Sequence, residues 1–204
     1  MDNYVIRKTE SSCILIDSKE WEKADVAKVT TINWNEFPHA PYTEARMLYN
    51  ANGIYIKFDS DEDNIIASFK NLNDHVFKES ACEIFFIPNV SYPYYFNFEF
   101  NAIGTMRVGW GMGRADRVFL ELDDISMFEI ESKVKEKGFS VKVFIPYSFI
   151  LSYVEEISAE YFLGNFHKCC EFKNPMHFAT YYPVGTPSPD FHMPQYFDKL
   201  IFER

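Results

Sequence analysis

Clustered positive charge is the first thing this sequence lacks. Its 20 lysines and arginines are dispersed and outnumbered by 30 aspartates and glutamates, for a net charge of −10. A phosphate backbone therefore finds nothing to hold it, and a neutral or cationic ligand is easier to accommodate. Long apolar runs are missing too. Residues 1–12 carry no signal-peptide core, and no later segment approaches the ~20 apolar residues of a membrane span. The expectation is a soluble chain, cytoplasmic as it stands and extracellular if a leader has been removed, with neither nucleic acid nor membrane as partner. The four cysteines, Cys13, Cys82, Cys169 and Cys170, show no disulfide-framework spacing and read as reduced structural thiols. Glycine and proline are scarce, with 8 and 10 copies against 21 Phe, 13 Tyr and 3 Trp, and a chain so weighted toward aromatics favours pleated sheet. With no internal repeat and no shift in composition, residues 1–204 read as one domain around a single large core.

What is present is strand pattern, densest over residues 82–114. In YFNFEFN, Phe96, Phe98 and Phe100 share one side of a two-residue period and Tyr95, Asn97, Glu99 and Asn101 the other, which predicts a core face and a polar surface. In the preceding run Cys82, Ile84 and Phe86 oppose Glu83, Phe85 and Ile87, so Glu83 lies among apolar neighbours and needs a partner. FSVKVFI at 139–145 alternates as cleanly. The predicted fold is all-β: an antiparallel β-sandwich of jelly-roll or immunoglobulin-like type with one or two short helices.

Along the chain, residues 13–16 predict a first strand, and KEWEKA after Asp17-Ser18 predicts a capped helical turn with Trp21 as its core anchor. Residues 26–32 predict another strand. The two prolines of NWNEFPHAP mark a loop whose Trp34 is either an anchor or a ligand platform. Residues 42–49 and 54–58 form a hairpin around Asn50-Ala51-Asn52-Gly53, with positive φ expected at the Asn-Gly pair. IIASFKNLNDHVF (65–77) spaces its apolar residues three and four apart, as a short helix does. Further strands are expected at 117–124, 125–132, 139–145, 161–166 and 200–202, with a helical excursion at 147–157. An extended tail from residue 174 holds five of the ten prolines.

Several groups of residues carry candidate chemistry. Asp59, Asp61 and Asp63 in DSDEDN alternate as oxygen ligands for a hard cation such as Ca²⁺ would, without the glycine and distal glutamate of an EF-hand; a solvated acidic turn is the alternative. Glu83, Asn97 and Glu99, with Arg46 on the hairpin, combine the donors and acceptors that a sugar's hydroxyl rim requires. Cross-strand pairing of these glutamates with Arg46, Arg107 or Arg114 is the structural alternative. The same two glutamates, ~5–6 Å apart on one sheet face, would also suit the carboxylate pair of a retaining glycosidase. His167, Cys169, Cys170 and His177 match no zinc template, and adjacent cysteines on a strand point to opposite faces. Nothing singles out Met112 or His192 as a haem ligand. Trp110 in GWGMGR and Tyr181-Tyr182 would give a protein-interaction module its exposed aromatic patch.

Taken together, TEARMLY and IYIKF (43–58), FKESACEIFFIP (77–88), YFNFEFNAIG (95–104), GNFHKC (164–169), FHMP (191–194) and KLIFE (199–203) resemble carbohydrate-binding module family 9, a β-sandwich family related to the broader DOMON-like group. The likeness is spread over most of the chain. It implies a non-catalytic module that holds a terminal glucose-type ring between two aromatic side chains and fixes its hydroxyls with charged and amide groups. It places the first ring at Phe77, six residues before Glu83, the polar strand position at Asn97 or Glu99, and the second ring at Tyr181. Neither ring is the tryptophan usual in the family. The resemblance also implies structural calcium, for which Asp59, Asp61 and Asp63 are the candidates; no other cofactor is expected. The expected ligand is a neutral saccharide, in the context of carbohydrate catabolism, with Arg46 and Trp110 as further contacts. A protein-interaction module and a glycoside hydrolase are the alternatives, and the oligomeric state stays open.

Overall fold

The structure is a computed structural model that describes residues 3–204; Met1 and Asp2, where the domain and the segment read for a leader begin, lie outside the described residues. Two-residue alternation decides the architecture. β5 (Ala81–Ile87), β6 (Tyr95–Asn101) and β7 (Met106–Gly111) pair antiparallel, and β11 (Tyr161–Cys170) joins β5 on its other edge. β8 (Val118–Phe119), β12 (His177–Thr180) and β13 (Asp198–Phe202) complete this first layer. The second layer holds β3 (Thr43–Tyr49), β4 (Gly53–Ser60), β9 (Glu131–Val134) and β10 (Phe139–Pro146), with β2 (Ala27–Lys28) at its margin and one helical turn, α1 (Tyr147–Ile150), after β10. β1 (Tyr4–Lys8) belongs to both layers: residues 4–6 run parallel to 200–202, and Arg7 and Lys8 run parallel to Leu48 and Tyr49. The nearly all-β sandwich is therefore the expected one, made mixed rather than purely antiparallel by β1.

Phe86, Phe96, Phe98, Phe100, Phe162 and Phe166 point inward from the first layer to meet Met47, Ile56, Phe58, Val141 and Val143 from the second. Burying each such side chain is worth roughly 1.5–3 kcal/mol, so this contact holds the layers before any polar interaction is counted. Both outer faces are covered as well. On the second layer, Trp21 rides a 3₁₀ turn (Lys19–Lys23) capped by the Ser18 hydroxyl and packs with Ile14, Leu48, Tyr55 and Phe144. On the first, Trp34, Phe178, Phe191 and Phe197 come from loops and β12 to cover Phe85, Ile87 and Tyr95. Trp34 is thus a loop anchor, its indole N–H donating to the Thr186 carbonyl at 2.9 Å.

Several local expectations give way. Residues 13–16 form no strand, and Ile14 is instead buried with Trp21. Residues 65–77 are not helical, because the buried Glu79 carboxylate takes the Ser68 N–H and hydroxyl at 2.6 Å and the Phe69 N–H at 3.2 Å. Such side-chain partners compete with a helical ladder, and only a 3₁₀ turn at Val76–Lys78 remains. The strands expected over 117–124 and 125–132 shrink to β8 and β9. The hairpin stands, yet neither Asn52 nor Gly53 has positive φ. Glycine is needed at 53 because a Cβ there would lie 2.4 Å from the Ile145 carbonyl oxygen.

A buried ion pair ties the loop after β4 to β11. Lys168, wholly buried, places Nζ 2.9 Å from Glu62 Oε2 as an ion pair rather than an aligned hydrogen bond, and donates to the Cys169 carbonyl at 3.0 Å. Glu62 Oε1 accepts from Lys173 Nζ and the Ser80 hydroxyl, both at 2.9 Å. Burial alone would raise the Glu62 carboxyl, but Lys168 and Lys173 outweigh it and hold it down at about 2. Because that lies below the ordinary 4.5, the stability it contributes is full above pH 4.5 and fades as pH falls toward 2. Glu62→Gln leaves Lys168 buried without its counter-charge and is expected to destabilise the fold by roughly 3 kcal/mol at neutral pH. Urea unfolding should show the gap to wild type closing as pH falls; a gap indifferent to pH would mean that the ion pair does not stabilise the fold.

Candidate binding site

Antiparallel register lines up polar residues across five strands. On the face of the first layer turned away from the main core, Glu83 lies opposite Glu99 and His167, Glu99 opposite Arg107, and His167 opposite Thr180. All five are buried. The polar surface expected of YFNFEFN is thus a polar interior, because loops close over it. Partners within the row are few. Asn97 donates to Glu99 Oε1 at 2.9 Å and Cys169 Sγ to Glu83 Oε1 at 3.2 Å. Arg107 Nε stands 3.7 Å from Glu99 Oε2 and His167 Nδ1 stands 3.8 Å from Glu83 Oε2, too far for hydrogen bonds. The Asn97 amide has room only because residue 109 is glycine, where a Cβ would sit 2.6 Å from Asn97 Oδ1.

Over this row opens a cleft of about 460 Å³, its solvent mouth included, lined by Glu83, Glu99 and Cys169 and by the rings of Phe77, Phe178 and Phe191. Phe191 stacks on His167 with ring centres 4.3 Å apart and planes 8° from parallel. Arg117, also at the cleft, bonds His192, which the Tyr95 hydroxyl meets at 2.8 Å. The guanidinium groups of Arg107 and Arg117 lie 3.7 and 5.0 Å from the centre of the Phe119 ring, an aromatic face standing in for water.

Dryness sets the protonation. Burial, and after it the facing Glu99 charge, push the Glu83 carboxyl well above its ordinary range. Burial raises Glu99 to about 7 against the opposite pull of Arg107 and Arg117. Burial holds His167 down at about 3, and burial with Arg117 alongside keeps His192 neutral too. Burial thus favours the protonated form of Glu83, which can both donate and accept, beside neutral imidazoles and two guanidinium groups. The Cys169 thiol is pushed far up by burial and Glu83, the reverse of what a nucleophile needs.

Of the residues predicted for the site, Phe77, Glu83 and Glu99 line the cleft and Asn97 backs Glu99. Three others do not reach it. Arg46 stands on β3 in the second layer, 2.7 Å from Glu44 and 3.7 Å from Asp59. Tyr181 packs on Tyr4 and Phe166 against the main core; the second aromatic wall comes instead from Phe178, which β12 pairs with Cys169, and from Phe191. Trp110 turns to the other side of β7 and packs on Phe96. Sequence reasoning missed Arg117, Phe178 and Phe191, gave Arg107 only a pairing role, and left His167 and His192 without a binding role. The alternation of Arg107 with Met106 and Val108 was the one readable signal among these.

Asp59, Asp61 and Asp63 do not fit calcium. Asp59 accepts from the Ser140 hydroxyl, and Lys135 Nζ at 3.0 Å, Lys57 Nζ at 3.2 Å and Arg46 at 3.7 Å already meet its charge. Asp61 and Asp63 are exposed, and among the described residues no three His, Cys, Asp or Glu side chains group as metal ligands.

The family profile described as carbohydrate-binding family 9 matches residues 13–202. The chain belongs to carbohydrate-binding family 9. Among solved structures it is similar to a Bacteroides uniformis ATCC 8492 protein assigned to carbohydrate binding, with 21% identity and a TM-score of 0.85 over 99% of this chain and 100% of that one. It is also similar to a family 9 module of Caldicellulosiruptor kristjanssonii in complex with glucose, at 10% identity and a TM-score of 0.67 over 99% of this chain and 96% of that one. The cellotriose complex of a family 9 module from the same organism gives 10% identity and a TM-score of 0.66 over 99% and 94%. At these identities the likeness is one of fold. No curated protein is similar to the chain in sequence.

In this family 9 member Glu99 gives the cleft a pH signature. Its value of about 7 lies above the ordinary 4.5, so the folded chain holds an extra proton between the two and stability falls as pH rises through that window. Glu99→Gln keeps the shape of the protonated form and is expected to gain in melting temperature on the wild type from about pH 5 to about pH 8. Parallel profiles for the two proteins would show that Glu99 ionises as it does in water.

Proposed function

We propose that this cleft is the binding site of a non-catalytic module and takes a neutral saccharide, its terminal ring held against Phe77, Phe178 and Phe191. One observation carries the reading. Of seven buried side-chain nitrogen and oxygen atoms without a hydrogen bond among the described residues, six belong to Asn97, Glu99, Arg107, Arg117 and His167. Each costs roughly 1–3 kcal/mol if left dry; Glu99 and Arg117 line the cleft, and Asn97, Arg107 and His167 stand next to its glutamates, so the group supports a polar ligand, or the water it displaces, at this opening. A pyranose supplies both halves of the complement: hydroxyls that donate and accept for the polar row, and an apolar C–H face for the rings. The glucose and cellotriose complexes of Caldicellulosiruptor kristjanssonii family 9 modules support the same ligand class. The role we assign is to hold glycan during its breakdown, with the bond cleavage done elsewhere.

Calorimetric titration with glucose, cellobiose and xylobiose is expected to show binding that Glu83→Ala weakens about tenfold or more, the loss of one buried hydrogen-bonding partner. Phe77→Ala should weaken it less, because the phenyl ring offers less stacking area than tryptophan. No heat with any sugar, or equal affinity in Glu83→Ala, would move the assignment to a protein-interaction module. Glu83 and Glu99 face each other much as a retaining glycosidase pair does, so turnover of aryl glycosides is the control that would overturn the non-catalytic reading.

A further inference from the structure

A second aromatic surface lies outside the cleft. Rings rise in a column from the core: wholly buried Phe96 carries Trp110 with ring centres 4.2 Å apart, and Trp110 carries Tyr94 at 5.6 Å with planes 18° from parallel. Tyr153 closes one side, 5.7 Å from Trp110 and edge-on to Phe96 at 5.3 Å. Tyr94 and its neighbour Tyr92 are 40% and 46% exposed. With Trp110, Tyr153 and Glu155 they border a hollow of about 750 Å³, open to solvent. Because side chains alternate along β7, Trp110 faces away from the cleft that Glu99 lines, so the two surfaces are separate.

Two features distinguish this patch from hydrophobic residues scattered over a surface. Its outer rings are fixed by a stack rooted in the core, so a ligand would order little on binding. Its polar tips are also free. The hydroxyls of Tyr4, Tyr49, Tyr55, Tyr95, Tyr182 and Tyr196 all hydrogen-bond within the protein. Those of Tyr92, Tyr94 and Tyr153, and the Trp110 indole N–H, bond to no described residue. Flat apolar faces edged with unused donors and acceptors match a sugar ring, whose C–H face stacks while its equatorial hydroxyls bond outward.

We propose that this surface is a second saccharide site, where Tyr94 stacks on a pyranose in the middle of an oligosaccharide and the free hydroxyls, the indole N–H and Glu155 meet its hydroxyl rim. An open hollow suits a ring in mid-chain, whereas the narrower cleft suits a chain end. The site is independent of the cleft, and its test is arranged accordingly. Trp21 and Trp34 are buried, so indole emission that changes with ligand reports on Trp110.

Glu83→Ala weakens the first site about tenfold or more and leaves this one untouched, and the Trp110 emission reads this one alone. In that background, titration with cellohexaose, xylohexaose and mannohexaose is expected to shift the emission with at least one glycan and to give matching heats. Adding Tyr94→Ala should weaken this binding about tenfold, read by calorimetry, and Tyr92→Ala about threefold; the latter keeps the test open if Tyr94→Ala disturbs the column. Failure of the cleft shows separately, as short sugars that bind wild type and Glu83→Ala alike. No emission change and no heat with all three hexasaccharides, or unchanged affinity in the tyrosine variants, overturns the proposal. So does self-association that Tyr94→Ala abolishes and the glycans leave intact, which would make the surface a contact between protein chains.

Discussion

A sheet covered on both faces leaves little water for the groups within it. The first layer is covered in this way, by the main core on one side and by Trp34, Phe178, Phe191 and Phe197 on the other, yet it carries a row of five polar side chains. The molecule meets that constraint by lowering the charge inside. Burial favours the protonated form of Glu83, two imidazoles stay neutral, and two guanidinium groups lie against one phenyl ring. Of the residues whose buried atoms remain unpartnered, Glu99 and Arg117 line the cleft, and Asn97, Arg107 and His167 lie on the same sheet face beside it. On the proposed function, the ligand would complete this internal hydrogen-bond network.

The acidic excess of the chain is handled by lysine. Lys168 sits against Glu62, and Lys142, also wholly buried, reaches the Glu129 carbonyl at 2.9 Å and the Glu131 carboxylate at 3.3 Å. Glu129 adopts a positive φ of 44° at that point. Lys57 and Lys135 do the same service for Asp59. Of the alternating carboxylates that suggested a bound cation, Asp59 is thus already met by ammonium groups of the protein's own side chains.

Strand faces were legible because a two-residue period is a local property. Cys82, Ile84 and Phe86 lie in the main core and Glu83 lies on the other side, as their alternation requires. The identity of the rings over Glu83 was not legible, because it depends on register between segments about a hundred residues apart. Tyr181 and Phe178 differ by three positions, which along an extended chain is roughly 10 Å, and only the pairing of Cys169 with Phe178 decides between them. The helix expected at 65–77 failed for a related reason: the Glu79 carboxylate that holds this segment open is supplied from just beyond it. β1 went unread because both its parallel partners, at 48–49 and 200–202, are remote.

The placement of β1 has a mechanical side. Residues 4–6 lie parallel to 200–202, and the Glu203 carboxylate just beyond takes the Lys8 N–H at 2.9 Å and Arg7 at 3.0 Å. In a parallel pair the start of one strand and the end of the other are at opposite ends. A pull applied between Tyr4 and Phe202 therefore loads the ladder in shear, straining its bonds together instead of peeling them one by one. Tension between the two ends of the described chain is thus resisted by paired strands acting together.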